Sequence, residues 1–333
     1  MQGIENKGNN KQEQSILKLR NMKKYLFLAV AALAFAACSN EENEVTTDNW
    51  NGEIRLSSGN IAVPASRSLS QELQLTQFDE DELVGVFVNE NVTGGVPSTT
   101  YTQPLVCTVG ADNSSLSFNA GAQYFPQSGK GVNIYGVYPS SAVTGRQVDG
   151  NIDFSVQTNQ SADANYKASD LMIGAPASNP VSRTKDPVNL SFTHKLAKID
   201  ITLIQGVGSP TLAGATVKIM NVLPTISFVP NTGSISAAKG SKTDVIAADA
   251  NIDGTLKCSA IIVPQTIGDG SAFIEVTLAS GGVLTYKLEA ETIFEGTKKY
   301  TYNITVNLTE LTVTSTITPW GNGSTTPGNA EMD

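Results

Sequence analysis

The sequence predicts an all-β protein of two antiparallel β-sandwich domains with few, short helices, and three observations carry that expectation. Only 16% of the 333 residues are charged, while Gly numbers 29 and Pro 14, the usage of sheets joined by polar turns. Short apolar or alternating segments recur between clusters of Gly, Pro, Asn and Ser along most of the chain. No long stretch sustains an apolar period of about 3.6 residues, so helices are expected to be few.

The segments follow in order. RLSSGNIAV (55–63) is a candidate first strand, and LVGVFV (83–88) is apolar and β-branched behind the acidic turn Asp79–Glu82. VNIYGVYP (132–139), IDFSVQT (152–158) and VNLSF (188–192) come next, then KIDITLI (198–204), ATVKIMNV (215–222) and CSAIIVP (258–264). AFIEVTLASGGVLTYKLE (272–289) reads as a hairpin turning at Ser280–Gly282. In KYTYNITVNL, Tyr300, Tyr302, Ile304, Val306 and Leu308 share one face, and Thr301, Asn303, Thr305 and Asn307 share the other. A period of two places the first set on a core and the second in water. TVTSTITPW (312–320) continues the pattern and ends on Trp320, which is expected to close a core. In SFTHKLAKIDITL, Phe192, His194 and Leu196 have one parity and Ile199, Ile201 and Leu203 the other, so a bulge or bend is expected near Ala197.

Before these strands lies an address. Lys23 and Lys24 precede the apolar run Tyr25–Ala37, and small residues lead directly to Cys38. That order is a secretory signal with a lipoprotein cysteine, and the run is shorter than the ~20 apolar residues a spanning helix needs. Cys38 is therefore the expected lipidated N-terminus, with Met22 the expected start of the leader. The polar residues that follow, Ser39–Glu44, read either as a solvated tether or as a sorting signal for the outer surface. The expected organisation is thus residues 1–37 as extension and signal, 38–60 as tether, 61–185 as the N-terminal sandwich and 186–333 as the C-terminal one, with NPVSRTKDP at the boundary.

Removing residues 1–37 takes away six of the 22 basic and two of the 31 acidic residues and leaves a net charge of −13. Such a chain is not expected to bind nucleic acid or anionic headgroups. Once Cys38 is lipidated, Cys107 and Cys258 remain, each among apolar residues, and both are read as buried free thiols.

Catalytic chemistry finds little support. The one histidine, His194, lies in a strand pattern without a GxSxG elbow and reads as a hydrogen-bonded, partly buried residue. No HExxH, CxxC, GxGxxG or P-loop string occurs, and SGKG (128–131) reads as a turn. The run Asp79–Glu82 lacks the spacing of a calcium loop and reads as a solvated turn. No catalytic residue, metal or cofactor is assigned. A hydrolase using a distant carboxylate pair has no residues to single out.

The ensemble of parts resembles the fimbrillin (Mfa-like) family, the pilins of type V fimbriae of Gram-negative bacteria. Four stretches carry the likeness: the leader ending at Cys38, ASRSLSQELQLTQFDEDELVGVFV (65–88), FTHKLAKIDITL (192–203) and KYTYNITVNLTELTVTSTITPWGNG (299–323). The resemblance implies two transthyretin-like sandwiches, export to the outer membrane as a lipoprotein, proteolysis after an arginine and polymerisation with other subunits by strand donation. By position Arg67 best matches the processing site, with Arg55 second. Loss of the first strand would open two edges, and about five apolar side chains of a donated strand would contribute on the order of 8–15 kcal/mol before ordering costs. The tail after Trp320, GNGSTTPGNAEMD, has no apolar alternation, which tilts the reading toward a tip or accessory subunit over a stalk subunit. The alternative is a monomeric surface lipoprotein that binds glycans or another surface ligand through exposed aromatic residues.

Overall fold

A computed structural model of the chain describes residues 49–59, 77–252, 255–307, 311–320 and 328–330. The chain divides into two units after Asn51, and every strand and helix below belongs to the second. Eight strands come first: β1 (Leu56–Ser58), β2 (Leu83–Glu90), β3 (Leu105–Val109), β4 (Ser115–Phe118), β5 (Val132–Tyr138), β6 (Ile152–Ser155), β7 (Met172–Ala175) and β8 (Val188–His194). Between β6 and β7 lies one short helix, α1 (Asp163–Ala168).

Seven of these strands form a sheet that closes on itself in the order β1-β4-β3-β2-β5-β7-β8. Every pairing is antiparallel except β1 with β8, which is parallel. Inside it lie Val84, Val86 and Val88 of β2, Ile134 and Tyr138 of β5, and Leu190 and Phe192 of β8. Gly136 and Gly174 are cross-strand partners, and a Cβ at either would come within 2.6 or 2.8 Å of the Phe192 ring. The Phe192 ring therefore lies over two residues that have no side chain. The opposite faces of β2, β5 and β7 send Phe87, Val137 and Ile173 into a second core. Burial on both faces explains why β2 reads as an unbroken apolar run instead of an alternation.

The second core is built from β9 (Ala197–Gln205), β10 (Thr216–Val222), β11 (Thr225–Val229), β12 (Ser234–Ile235), β13 (Thr243–Ile246), β14 (Ala248–Ile252), β15 (Thr255–Ile262), β16 (Gln265–Ile267), β17 (Ala272–Thr277), β18 (Val283–Lys287), β19 (Thr292–Phe294), β20 (Lys298–Val306), β21 (Leu311–Pro319) and β22 (Gly328–Ala330). A six-stranded sheet, β14-β15-β9-β20-β21-β22, and a four-stranded one, β13-β10-β17-β18, share this apolar interior. Tyr300, Tyr302, Ile304 and Val306 of β20 are buried in it, as their alternation requires. The β17–β18 hairpin pairs Thr277 with Val283 around the Gly-containing turn. β6 leaves the first sheet's sequence neighbourhood to pair with β11, and β16 pairs with β19.

The parity change falls where the chain passes from one sheet to the next. β8 ends at His194 and β9 begins at Ala197, with Lys195 N–H donating to the Leu171 carbonyl at the crossing. Cys107 in β3 and Cys258 in β15 are free and buried. Burial pushes each thiol up to about 12, so neither presents a thiolate at neutral pH.

Candidate functional site: the first strand and its two edges

The segment Gly52–Gly59 lies in a slot whose walls are β4, with the loop that follows it, and β8. Ile54 N–H donates to the Gln123 carbonyl at 2.7 Å, and the Gly52 carbonyl accepts from Phe125 N–H at 2.8 Å. On the other wall Val188 N–H donates to the Arg55 carbonyl at 2.8 Å and Gly59 N–H to the Leu190 carbonyl at 3.0 Å. Register is fixed on both sides, with Leu56 opposite Leu116 and beside Val188. The alternation of β1 sends Ile54 (2% exposed), Leu56 (4%) and Ser58 (3%) inward. Ser58 is held by a reciprocal contact: its N–H and hydroxyl both donate to the Ser114 carbonyl, at 2.8 and 3.1 Å, and the Ser114 hydroxyl donates to the Ser58 carbonyl at 3.3 Å.

β1 is thus short, paired along both edges and the element that joins the two ends of the first sheet. Burying Ile54 and Leu56 contributes about 3–6 kcal/mol at ~1.5–3 kcal/mol each. The expected run of about five apolar side chains is not matched within the described residues of this segment, where the third inward position is a serine. Residues 60–63 of the candidate strand lie outside the described residues.

Of the two arginines singled out as processing sites, Arg67 lies outside the described residues, as does the lipidation candidate Cys38. Arg55 sits inside the slot. Its side chain is 45% exposed, 4.0 Å from the Glu53 carboxylate, and donates to the Lys185 carbonyl.

The other candidates resolve into structural roles. His194 is buried, its Nδ1 lies 2.8 Å from the Asp170 carboxylate, and its ring stacks on Trp320 with centroids 4.1 Å apart and planes 9° from parallel. Trp320 is itself 5% exposed and closes the core at the end of β21. The acidic run is more than a solvated turn. Lys167 of α1 reaches Asp79 at 2.5 Å and Glu82 at 3.5 Å, and the Tyr138 hydroxyl donates to Glu82 at 3.1 Å. Burial raises the Glu82 carboxyl above its ordinary range, and the attraction of Lys167 opposes that shift. The sequence pattern could not show this, because Lys167 is 88 residues from Asp79.

Glu90 was not legible either. At the end of β2 it is buried and accepts from Ser98 N–H at 2.6 Å, Thr99 N–H at 2.9 Å and the Ser128 hydroxyl at 2.5 Å. It thereby ties the loop after β2 to the SGKG turn. The Ser128 hydrogen bond holds its carboxyl below the usual value. Among the described residues no group of three or more His, Cys, Asp or Glu could hold a metal, and no helix is long and apolar enough to cross a membrane.

Comparison with known proteins bears on the whole arrangement. The chain is 28% identical to a Bacteroides uniformis protein named as fimbrium subunit Fim1C, over 93% of this chain and 99% of that one. Its fold is similar to that of two solved proteins described as cell adhesion proteins. One, from Bacteroides uniformis, has a TM-score of 0.60 at 21% identity, and the other, from Bacteroides ovatus, 0.62 at 19%. Each likeness covers 82% of this chain and 99% of the other. The model of the fimbrillin-like family matches residues 73–320, which takes in β2 through β21, and the chain belongs to that family.

Proposed function

We propose that this chain is a structural and adhesive subunit of surface fimbriae, exported as a lipoprotein through Cys38 and assembled when proteolysis after an arginine frees its first strand for replacement. The observation that carries this reading is the position of β1, three residues wedged between β4 and β8. Its departure leaves two facing strand edges and the pockets of Ile54 and Leu56. Unpaired edges of that kind capture an extended segment, whose main chain restores the ladder while alternate side chains fill the pockets.

Arg67 is the better processing site. The Arg55 carbonyl is engaged by Val188, so a protease acting there must first pull the strand out. Cutting after Arg67 leaves β1 intact as a leaving segment. The role is structural and non-enzymatic, without a cofactor. The first sheet is the acceptor half and the second core the C-terminal half, meeting near Lys195.

A tip or accessory position is favoured over a stalk position. β21 stays paired with β20 over nine residues and ends on the buried Trp320. Burial of Trp320 also weighs against a glycan platform, since it removes one of only two tryptophans from the surface.

Limited digestion with an arginine-specific protease, followed by gel and electron microscopy, tests the reading. The cut wild-type protein is expected to enter high-molecular-weight assemblies with partner subunits. Arg67→Ala is expected to stay full-length and unassembled. Assembly of uncut Arg67→Ala would contradict it.

A further inference from the structure

Two glycines bound the buried part of the first strand. Gly52 is buried with φ +96°, a conformation that residues with a Cβ rarely adopt, and a Cβ there would fall 2.5 Å from the Arg183 guanidinium. A Cβ on Gly59 would fall 2.6 Å from both the nitrogen and the oxygen of the Asn189 side-chain amide. Asn189 is exposed and its amide oxygen accepts from the Ser57 hydroxyl at 3.4 Å, so a Cβ on Gly59 must turn that amide away from Ser57. The slot therefore reads a pattern: glycine, then aliphatic at the Ile54 and Leu56 positions, hydroxyl at the Ser58 position, and glycine again.

The chain's own last long strand nearly fits. Aligned on the inward residues, Leu311, Val313 and Ser315 take the places of Ile54, Leu56 and Ser58, and Glu310 takes that of Glu53. The two glycine places, however, fall on Thr309 and Thr316. At the Gly52 place, where φ is positive, Thr309 is β-branched and among the residues least suited to that conformation, while at the Gly59 place the Cβ of Thr316 meets the Asn189 amide. No glycine occurs between Gly296 and Gly321, so no register of this strand supplies one at both ends.

We propose that the slot is gated by glycine at both ends, with Asn189 the specificity-determining residue at the inner gate, and that the gates exclude the β21 segment of a second copy. The occupant is then an extended segment of a different subunit with the pattern Gly-x-aliphatic-x-aliphatic-x-Ser/Thr-Gly. This inference rests on the strand-acceptor reading above. Discrimination of this kind comes from what the wrong partner meets as much as from what the right one gains.

The test uses the chain cut after Arg67 and freed of its first strand, with fluorescent peptides of residues 52–59 and 309–316 read by anisotropy. The 52–59 peptide is expected to bind. Gly52→Ala and Gly59→Ala in it should each weaken binding about tenfold. The 309–316 peptide should bind about a hundredfold more weakly and recover with Thr309→Gly and Thr316→Gly. Asn189→Ala in the acceptor should rescue the Gly59→Ala peptide and leave the Gly52→Ala peptide weak. Equal binding of native and substituted peptides, or tight binding of unaltered 309–316, overturns the gating while leaving strand acceptance intact. Failure of every peptide, the native one included, overturns strand acceptance and the gating with it.

Discussion

Strand β20 runs beside β21 for nine residues and beside β9 for eight, and buries Tyr300, Tyr302, Ile304 and Val306. Strand β1 runs beside β8 for three and beside β4 for two and, with the residue two before it, buries Ile54, Leu56 and Ser58. Both are paired on two sides, so pairing alone does not set how firmly a strand is held. Length and the size of its inward side chains do. Removing β20 would split the second core, whereas removing β1 opens a seam between β4 and β8 in the first sheet.

Substitutions can sharpen that contrast, beginning with the largest effect. Trp320→Ala removes the ring stacked on His194 at the end of β21 and is expected to cost about 3–5 kcal/mol of global stability by chemical denaturation. A cost of about 2 kcal/mol or less would show that the end of β21 is as loosely held as β1. Leu56→Ala is expected to cost less than a fully coupled core truncation, about 2 kcal/mol. Its signature is local: the slot should become more sensitive to protease at Arg55 while the unfolding midpoint of the rest shifts little.

Acid provides a third lever on the first sheet. Glu90 has its folded pKa held below the ordinary 4.5, so its contribution is complete above that value and is lost as pH falls through the lower folded pKa. Amides of Ser98 and Thr99 should then exchange faster at low pH, and Glu90→Gln should remove that dependence. The smallest effect is expected at Arg55, whose ion pair with Glu53 is long and exposed. Arg55→Lys should change stability by less than about 0.5 kcal/mol and leave the size of the processed product unchanged.

How much of this was legible in the sequence follows the same physics. β2, β5, β9 and β20 were readable because each has enough residues for its pattern to be counted, and the hairpin at Ser280–Gly282 because turn chemistry is local. β7, β11 and β12 were not, since strands of two to five residues offer little alternation. The extent of β1 was legible only in part. RLSSGNIAV contains it, but the residues that make it a slot, Gln123, Ser114 and Asn189, come from distant segments. Lys167 on the acidic turn and Ser128 on Glu90 were hidden for the same reason. The two glycine gates need both a backbone angle and a neighbour's position, neither of which a sequence pattern carries.

Native-state hydrogen exchange compares the two strands most directly. The amides of Ile54, Ser58 and Gly59, all bonded across the slot, are expected to open at a free energy well below that of global unfolding, while the amides of β20 open only with the whole. If the amides of the first strand exchanged only through global unfolding, with the same denaturant dependence as β20, β1 would be a fixed part of the core and its replacement by another chain would be contradicted.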